Sequence, residues 1–298
     1  MKRPKKGVRD LSKVLRLRTA GIPLRVAQTG LLSGLLMIGM IMGESDVKGQ
    51  RVVAHRGASR DAPENTLAAF RLAWKQGADG IEGDFYLTRD GEVVCIHDKT
   101  TGRTADQDLT VADATLAELQ GLDVGKWKGD EFTGQAIPTL RQVISTVPEG
   151  KWLIIELKAG PEIVEPVRQV LAKSGLPGEQ VCIISFNQQT IAAAKRLMPR
   201  IKAHWLTSYK QQGQTDSWLP SASELAETVK RLSVDGLGME GNRQVVTVEF
   251  LAELRKRGVQ EFHVWTIDDS ADAKFFAAQG PFGITTNRPL EIRKALKK

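Results

Sequence analysis

From residue 51 onward, short apolar runs rich in Val and Ile alternate with stretches whose apolar residues recur at helical spacing. Eight runs predict strands, at 51–57, 80–88, 152–158, 181–186, 202–208, 235–240, 262–268 and 282–287. A helical pattern follows each, at 63–76, 139–147, 161–174, 188–198, 223–232, 247–257, 270–279 and 289–296. Continuously apolar strands separated by helices make a parallel sheet covered on both faces, and eight such units close it into a barrel. The expected fold class is α/β, a (β/α)8 TIM barrel.

One run breaks the alternation. "EVVCIHD" (92–98) follows "TRDG", whose Asp-Gly pair signals a hairpin turn, so it should return antiparallel beside the second strand. Residues 99–138 offer that run no further partner and form a small insertion after the second strand. No Gly/Ser/Pro linker interrupts the rest, so 51–298 is expected to be one domain, preceded by a leader over 1–50.

Charge separates leader from body. The chain carries a net +7, but residues 1–28 hold nine basic residues against Asp10 alone, a balance of +8, and the remaining 270 sum to −1. A basic arm on a near-neutral body lacks the folded basic face of a nucleic-acid-binding domain, so no nucleic-acid partner is expected. Residues 26–43, "VAQTGLLSGLLMIGMIMG", are uncharged and follow the basic arm directly. Their length suits the apolar part of an export signal and approaches the lower limit for a membrane span. The expectation is export to a periplasmic or extracellular site, with the leader cleaved or retained as a membrane anchor and the barrel outside. Cys95 and Cys182 are the only cysteines, read as two buried thiols, and they do not decide the compartment.

Functional groups of such barrels gather at the C-terminal ends of the strands. The polar residues there are His55, Arg56, Glu82, Asp84, His97, Asp98, Glu156 and Lys158. Glu82 and Asp84 are two apart on one strand and so share a face, and Glu156 comes from the neighbouring strand. Three converging carboxylates repel one another unless a cation lies between them, and an all-oxygen donor set suits Ca²⁺ or Mg²⁺ rather than zinc. The competing reading pairs each carboxylate with Lys158, Arg56 or a backbone amide.

His55 and His97 reach the same mouth from different strands, as a proton donor and a proton acceptor on opposite sides of a reacting bond would. Arg56 offers a two-pronged donor for phosphate and Lys158 a second positive charge. A divalent cation, two imidazoles and two fixed cations together suit a phosphate ester. Trp265 either walls the substrate or fills the core. His204 and His263 are read as structural, and Glu64 and Asn65 either cap the helix beginning at Pro63 or reach into the site.

These segments, "HRGASRDAPENT", "GIEGDFYLTRDGEVVCIHD", "IIELK", "VWTID" and "ITTNRP", resemble the glycerophosphodiester phosphodiesterase family, in order from about residue 51 to 290. The resemblance implies a (β/α)8 barrel with an insertion after the second strand. It implies His55 and His97 as the general acid and base, Glu82, Asp84 and Glu156 as ligands of one divalent cation, and Arg56 and Lys158 on the phosphate. The implied substrate is a small glycerophosphodiester, split to sn-glycerol 3-phosphate and an alcohol such as choline, ethanolamine or inositol. A neighbouring glycerol hydroxyl would serve as internal nucleophile. One departure stands out: where the family usually has Thr-Asp-x-Pro after its last strand, this chain has Thr286, Asn287, Arg288 and Pro289.

Two alternatives share the barrel. A phosphoinositide- or sphingomyelin-type phospholipase would need apolar access at the mouth, which the polar insertion "DVGKWKGDEFTG" does not favour. A non-catalytic phosphodiester-binding protein should have lost some acid, base or metal groups, and all seven are present.

Overall fold

The computed structural model describes residues 49–213 and 218–297. The hydrophobic run at 26–43 and the basic arm lie outside the described residues. Among those described, no helix is long and apolar enough to cross a membrane.

The elements run β1 (Val52–Ala54), α1 (Leu67–Lys75), β2 (Gly80–Leu87), β3 (Val93–Cys95), α2 (Leu116–Gln120), α3 (Leu140–Ile144), β4 (Trp152–Leu157) and α4 (Val164–Ser174). They continue as β5 (Val181–Ser185), α5 (Gln188–Leu197), β6 (Lys202–Thr207), the short pair β7 (Lys210–Gln211) and β8 (Trp218–Leu219), and α6 (Ala222–Leu232). Last come β9 (Gly236–Glu240), α7 (Val248–Lys256), β10 (Glu261–Trp265), α8 (Ser270–Ala277), β11 (Ile284–Thr286) and α9 (Pro289–Leu296).

Parallel pairing runs β1-β11-β10-β9-β6-β5-β4-β2, and β2 pairs again with β1, with Ala54 opposite Ile81. The sheet is therefore a closed eight-stranded parallel barrel with helices between its strands. β3 lies antiparallel to β2, with Cys95 opposite Phe85, as the Asp-Gly turn requires.

Alternation along the strands sorts side chains into two cores. Ile155, Ile183, Leu237 and Val264 face the helices, and Val53, Ile154, Cys182, Ile184 and Leu206 fill the barrel. Each fully buried aliphatic side chain contributes about 1.5–3 kcal/mol. Gly238 has no side chain because a Cβ there would lie 2.4 Å from the His263 ring and from Leu206, so the glycine is what admits an imidazole to the interior. Cys95 and Cys182 are buried free thiols.

The insertion carries its own small core of Val94, Ile96, Val111, Ala114, Leu119, Val124 and Ile137. Its only ladder contacts among the described residues beyond β3 are the isolated bridges Thr100 with Thr110 and Val94 with Thr139.

One boundary differs from expectation in a way that shapes the site. Pro63 signals a helix start, but α1 begins at Leu67, because Thr66 is the cap and accepts from the Ala69 amide. Asn65 has φ +59°, a left-handed conformation that turns 63–65 away from the helix. Glu64 and Asn65 are therefore not caps of this helix, and the other reading of them holds: their side chains reach Arg56 and Asp84.

Candidate active site

β1 ends by handing its chain to a tight turn. The His55 amide donates to the Thr286 carbonyl at 2.8 Å, which keeps His55 at the barrel rim beside β11. Arg56 follows in a left-handed conformation, φ +56°, and its backbone N–H donates to Glu82 Oε2 at 2.9 Å. Gly57 completes the turn at φ +81°, with Ala69 so close that a Cβ would meet its backbone carbon at 2.6 Å. The turn thus seats α1 against β1 and aims two side chains at the mouth.

The carboxylates come from adjacent strands. β2 carries Glu82 and Asp84 on its inner face, and the β2–β4 register sets Asp84 directly opposite Glu156. All three are buried, and one oxygen from each lies within 4.8 Å of the others.

Local pairing accounts for only part of this cluster. Arg56 Nε lies 3.2 Å from Asp84 Oδ2, and Lys158 Nζ lies 2.9 Å from Glu156 Oε1 and 3.5 Å from Asp84 Oδ1. Asn65 Nδ2 donates to Asp84 Oδ2 at 2.9 Å. Glu82 Oε1 and Asp84 Oδ1 are buried without any hydrogen-bond partner.

Two cations face three carboxylates, and the ionisations show the imbalance. Burial, then Asp84 and Glu156, push Glu82 well above the ordinary carboxylate range. Burial and Asp84 raise Glu156 to about 7. Asp84 moves the other way: burial would raise it, but Arg56 and Lys158 hold it low. Buried, unpartnered, mutually repelling carboxylate oxygens fit a hard divalent cation, which would satisfy the orphaned acceptors and restore the charged forms.

Each imidazole has one ring nitrogen committed. His97 Nδ1 lies 2.6 Å from Asp98 Oδ1, and a carboxylate can only accept, so Nδ1 donates. His55 Nδ1 lies 2.8 Å from Asn287 Oδ1. Burial, then the Arg56 charge, push His55 down to about 4, so it is neutral near pH 7.

A chain of ion pairs joins the two histidine segments. Arg103 Nε donates to Asp98 Oδ2 at 2.5 Å, and its two terminal nitrogens fork onto Glu64 at 2.7 and 3.0 Å. Glu64 Oε1 in turn accepts from Arg56 Nη1 at 3.0 Å.

His55, Arg56, Glu82, His97, Glu156, Lys158 and Trp265 line one cavity of about 130 Å³ at the C-terminal ends of the strands, with Asp84 buried beneath it. The residues given acid–base, phosphate, metal or substrate-wall roles from the sequence are therefore brought together at this place, while Asp98 stands behind His97. Trp265 walls the cavity edge-on to Phe186, with centroids 5.4 Å apart, and its buried indole N–H has no partner. A larger cavity of about 590 Å³ lies around Arg51, Asp79 and Trp152 at the opposite strand ends, but it gathers neither histidines nor a carboxylate cluster, so size does not locate the chemistry.

His204 and His263 both turn into the barrel, their Nδ1 atoms 2.9 Å apart, and His204 Nε2 lies 2.7 Å from Glu261. Trp205, out of phase with His204, packs on the helix side.

Asn65, which the sequence offers as a cap or as a site residue, donates to Asp84, while sequence reasoning missed three contributors: Arg103 between Asp98 and Glu64, Asp268, whose Oδ2 accepts from Asn287 Nδ2 at 2.7 Å, and Ser59, whose Oγ lies 2.8 Å from Asn287 Oδ1. Ser59 lies within the first motif, and Asp268 ends the run predicted as the seventh strand, three residues beyond β10. Arg103 gave no signal.

Residues 55–291 match the model of the glycerophosphoryl diester phosphodiesterase family. The chain is 34% identical over 252 residues to the glycerophosphodiester phosphodiesterase of Caldanaerobacter subterraneus subsp. tengcongensis, covering 83% of this chain and 98% of that relative. It is 30% identical over 263 residues to a glycerophosphodiester phosphodiesterase of Bacillus subtilis, covering 82% and 86%. Among solved structures, an Oleispira antarctica phosphodiesterase in complex with the product sn-glycerol-3-phosphate superposes with TM-score 0.74 at 31% identity, over 84% of this chain and 98% of that one.

Proposed function

This chain belongs to the glycerophosphoryl diester phosphodiesterase family and is a phosphoric diester hydrolase, and on that premise we propose that it splits small glycerophosphodiesters to sn-glycerol 3-phosphate and an alcohol with His55 and His97 as the acid–base pair. The observation that carries the reading is the convergence of two imidazoles, two fixed cations and three buried carboxylates on one cavity.

Glu82, Asp84 and Glu156 would hold one Ca²⁺ or Mg²⁺ ion, which when bound supplies positive charge to the phosphate oxygens as negative charge builds there. Arg56 and Lys158 supply the remaining fixed charge and set the orientation of the phosphate. One histidine takes the proton of the glycerol hydroxyl next to the phosphate. The resulting oxygen attacks phosphorus, the ester bond to the alcohol breaks, and the other histidine protonates the departing oxygen. Water then opens the cyclic phosphate with the two histidines in exchanged roles. Trp265 and Phe186 line the same cavity and would wall the side that takes the alcohol group.

The Oleispira complex with sn-glycerol-3-phosphate supports the product assignment, since it shares 98% of its length with this chain's fold. The basic arm and apolar run at 26–43 support export, with the barrel beyond the membrane. Export is tested by fractionating cells and sequencing the mature N-terminus; an intact Met1 in soluble cytosol contradicts it. The activity is tested by glycerol 3-phosphate release from glycerophosphocholine, which should require an added divalent cation.

A further inference from the structure

The residue where this chain departs from Thr-Asp-x-Pro sits against the first histidine. Asn287 Oδ1 lies 2.8 Å from His55 Nδ1, and Asn287 Nδ2 lies 2.7 Å from Asp268 Oδ2. The other oxygen, Asp268 Oδ1, accepts from the Asn287 backbone N–H at 2.8 Å and from Thr286 Oγ1 at 2.9 Å.

These contacts leave no freedom in the direction of the hydrogen bonds. A carboxylate only accepts, so the Asn287 amide must turn its NH₂ to Asp268 and its oxygen to His55. An amide oxygen also only accepts, so His55 must carry its proton on Nδ1. Ser59 Oγ, 2.8 Å from the same amide oxygen, adjusts by rotating its hydroxyl.

We propose that Asp268 and Asn287 form a positioning relay that fixes the tautomer of His55, holding the proton on Nδ1 and leaving the Nε2 lone pair free for the substrate. Asn287 is a positioning residue, since it acts through His55. The same contact with a carboxylate at 287 would add a negative charge beside the ring. The amide fixes the tautomer without that charge, and the charged group stands one residue further back. The proposal rests on the reading of His55 as an acid–base group.

The relay predicts a reciprocal pair of variants. In Asp268→Asn the backbone N–H of Asn287 still demands an oxygen at the Oδ1 position, so the new NH₂ faces Asn287. The Asn287 amide then reverses, offers N–H to His55 Nδ1, and drives the proton to Nε2. In Asp268→Asn/Asn287→Asp the order is exchanged, and the carboxylate at 287 again accepts from both sides.

The test is ¹⁵N–¹H multiple-bond correlation of the His55 ring in the metal-loaded enzyme, assigned with His55→Ala, together with kcat and KM for glycerophosphocholine. The expected result is Nδ1–H in wild type and Nε2–H in Asp268→Asn, with kcat down by about 10²–10⁴-fold and KM within about threefold, since a wrong tautomer removes the acid–base step and not binding. The exchanged double variant should return Nδ1–H and recover kcat to within about tenfold of wild type. Retention of Nδ1–H with normal kcat in Asp268→Asn, or a double variant no better than the single one, overturns the relay. Because the tautomer is read without turnover, a chain that shows the switch but hydrolyses no glycerophosphodiester counts against the proposed activity and leaves the relay standing.

Discussion

The backbone N–H of Arg56 donates to Glu82 Oε2 across 2.9 Å, and the Arg56 side chain reaches Asp84 and Glu64 from the same position. One residue at the end of β1 thereby links the phosphate side of the cavity to two of the three carboxylates.

That double use makes the guanidinium shape essential. Arg56→Lys keeps the charge but not the fork that touches Asp84 and Glu64 together. A charge-assisted hydrogen bond contributes about 1.5–3 kcal/mol, so kcat/KM should fall by roughly 10- to 100-fold. Steady-state kinetics check it, and an unchanged kcat/KM would show that charge alone suffices.

Glu156 should make the metal-free protein sensitive to alkaline pH. Its folded-state ionisation near 7 lies above its ordinary value of 4.5. The stabilisation from its protonated form is therefore complete below about 4.5 and is lost as pH rises through 7. Urea unfolding of chelated protein should give a lower stability at pH 8 than at pH 6, by on the order of 1–3 kcal/mol. Glu156→Gln should flatten that dependence. Added Ca²⁺ or Mg²⁺ should also flatten it in wild type, since a bound cation removes the repulsion. Equal stability at both pH values without metal would contradict the charge account of the cluster.

Arg103 holds the insertion to the site through Asp98 and Glu64, at distances of 2.5 to 3.0 Å. Its side chain is about half exposed, so its loss should cost little stability. Freed from Arg103, Asp98 no longer fixes the His97 ring as tightly, and misplacement of a reacting group by about 1 Å can cost 10²-fold. Arg103→Ala should therefore lower kcat by about 10- to 100-fold while Tm shifts little. A large fall in Tm with kcat preserved would make Arg103 a folding residue instead.

Gly238→Ala tests the packing of the barrel interior. A methyl group there would stand 2.4 Å from both Leu206 and the His263 ring, both of them buried. Overpacking of this kind costs typically 1–3 kcal/mol, which thermal unfolding would register as a lowered Tm. Wild-type stability would mean that His263 can move aside.

Much of this architecture can be read in the chain because β-strand alternation and helix periodicity are local. The eight strands are continuous apolar runs bounded by turns, and Glu82, Asp84 and Glu156 stand out as charges inside such runs. The start of α1 is not legible in the sequence because Pro63 and Thr66 are both starting signals, and only the left-handed Asn65 decides between them. Residues 99–138 resist reading because their small core is held by scattered contacts with little ladder. Asn65 meets Asp84 across 19 residues, Asp268 meets Asn287 across 19 and Arg103 meets Glu64 across 39. Such pairs exist only once the barrel has closed, so no local pattern announces them. Asn287 could be seen as a departure from a motif, but its partner at Asp268 could not.

The central claim is that a cation held by Glu82, Asp84 and Glu156 and an acid–base pair of His55 and His97 act together on a glycerophosphodiester. The most direct measurement is glycerol 3-phosphate release from glycerophosphocholine by the chelated chain, before and after return of Ca²⁺ or Mg²⁺, beside His55→Ala and Glu82→Ala. Release should appear only with the cation. It should fall by about 10²–10⁴-fold in His55→Ala, as expected for loss of an acid–base group, and vanish in Glu82→Ala. Release that persists in thoroughly chelated protein, that stays near the wild-type rate in His55→Ala, or that survives in Glu82→Ala would contradict the account.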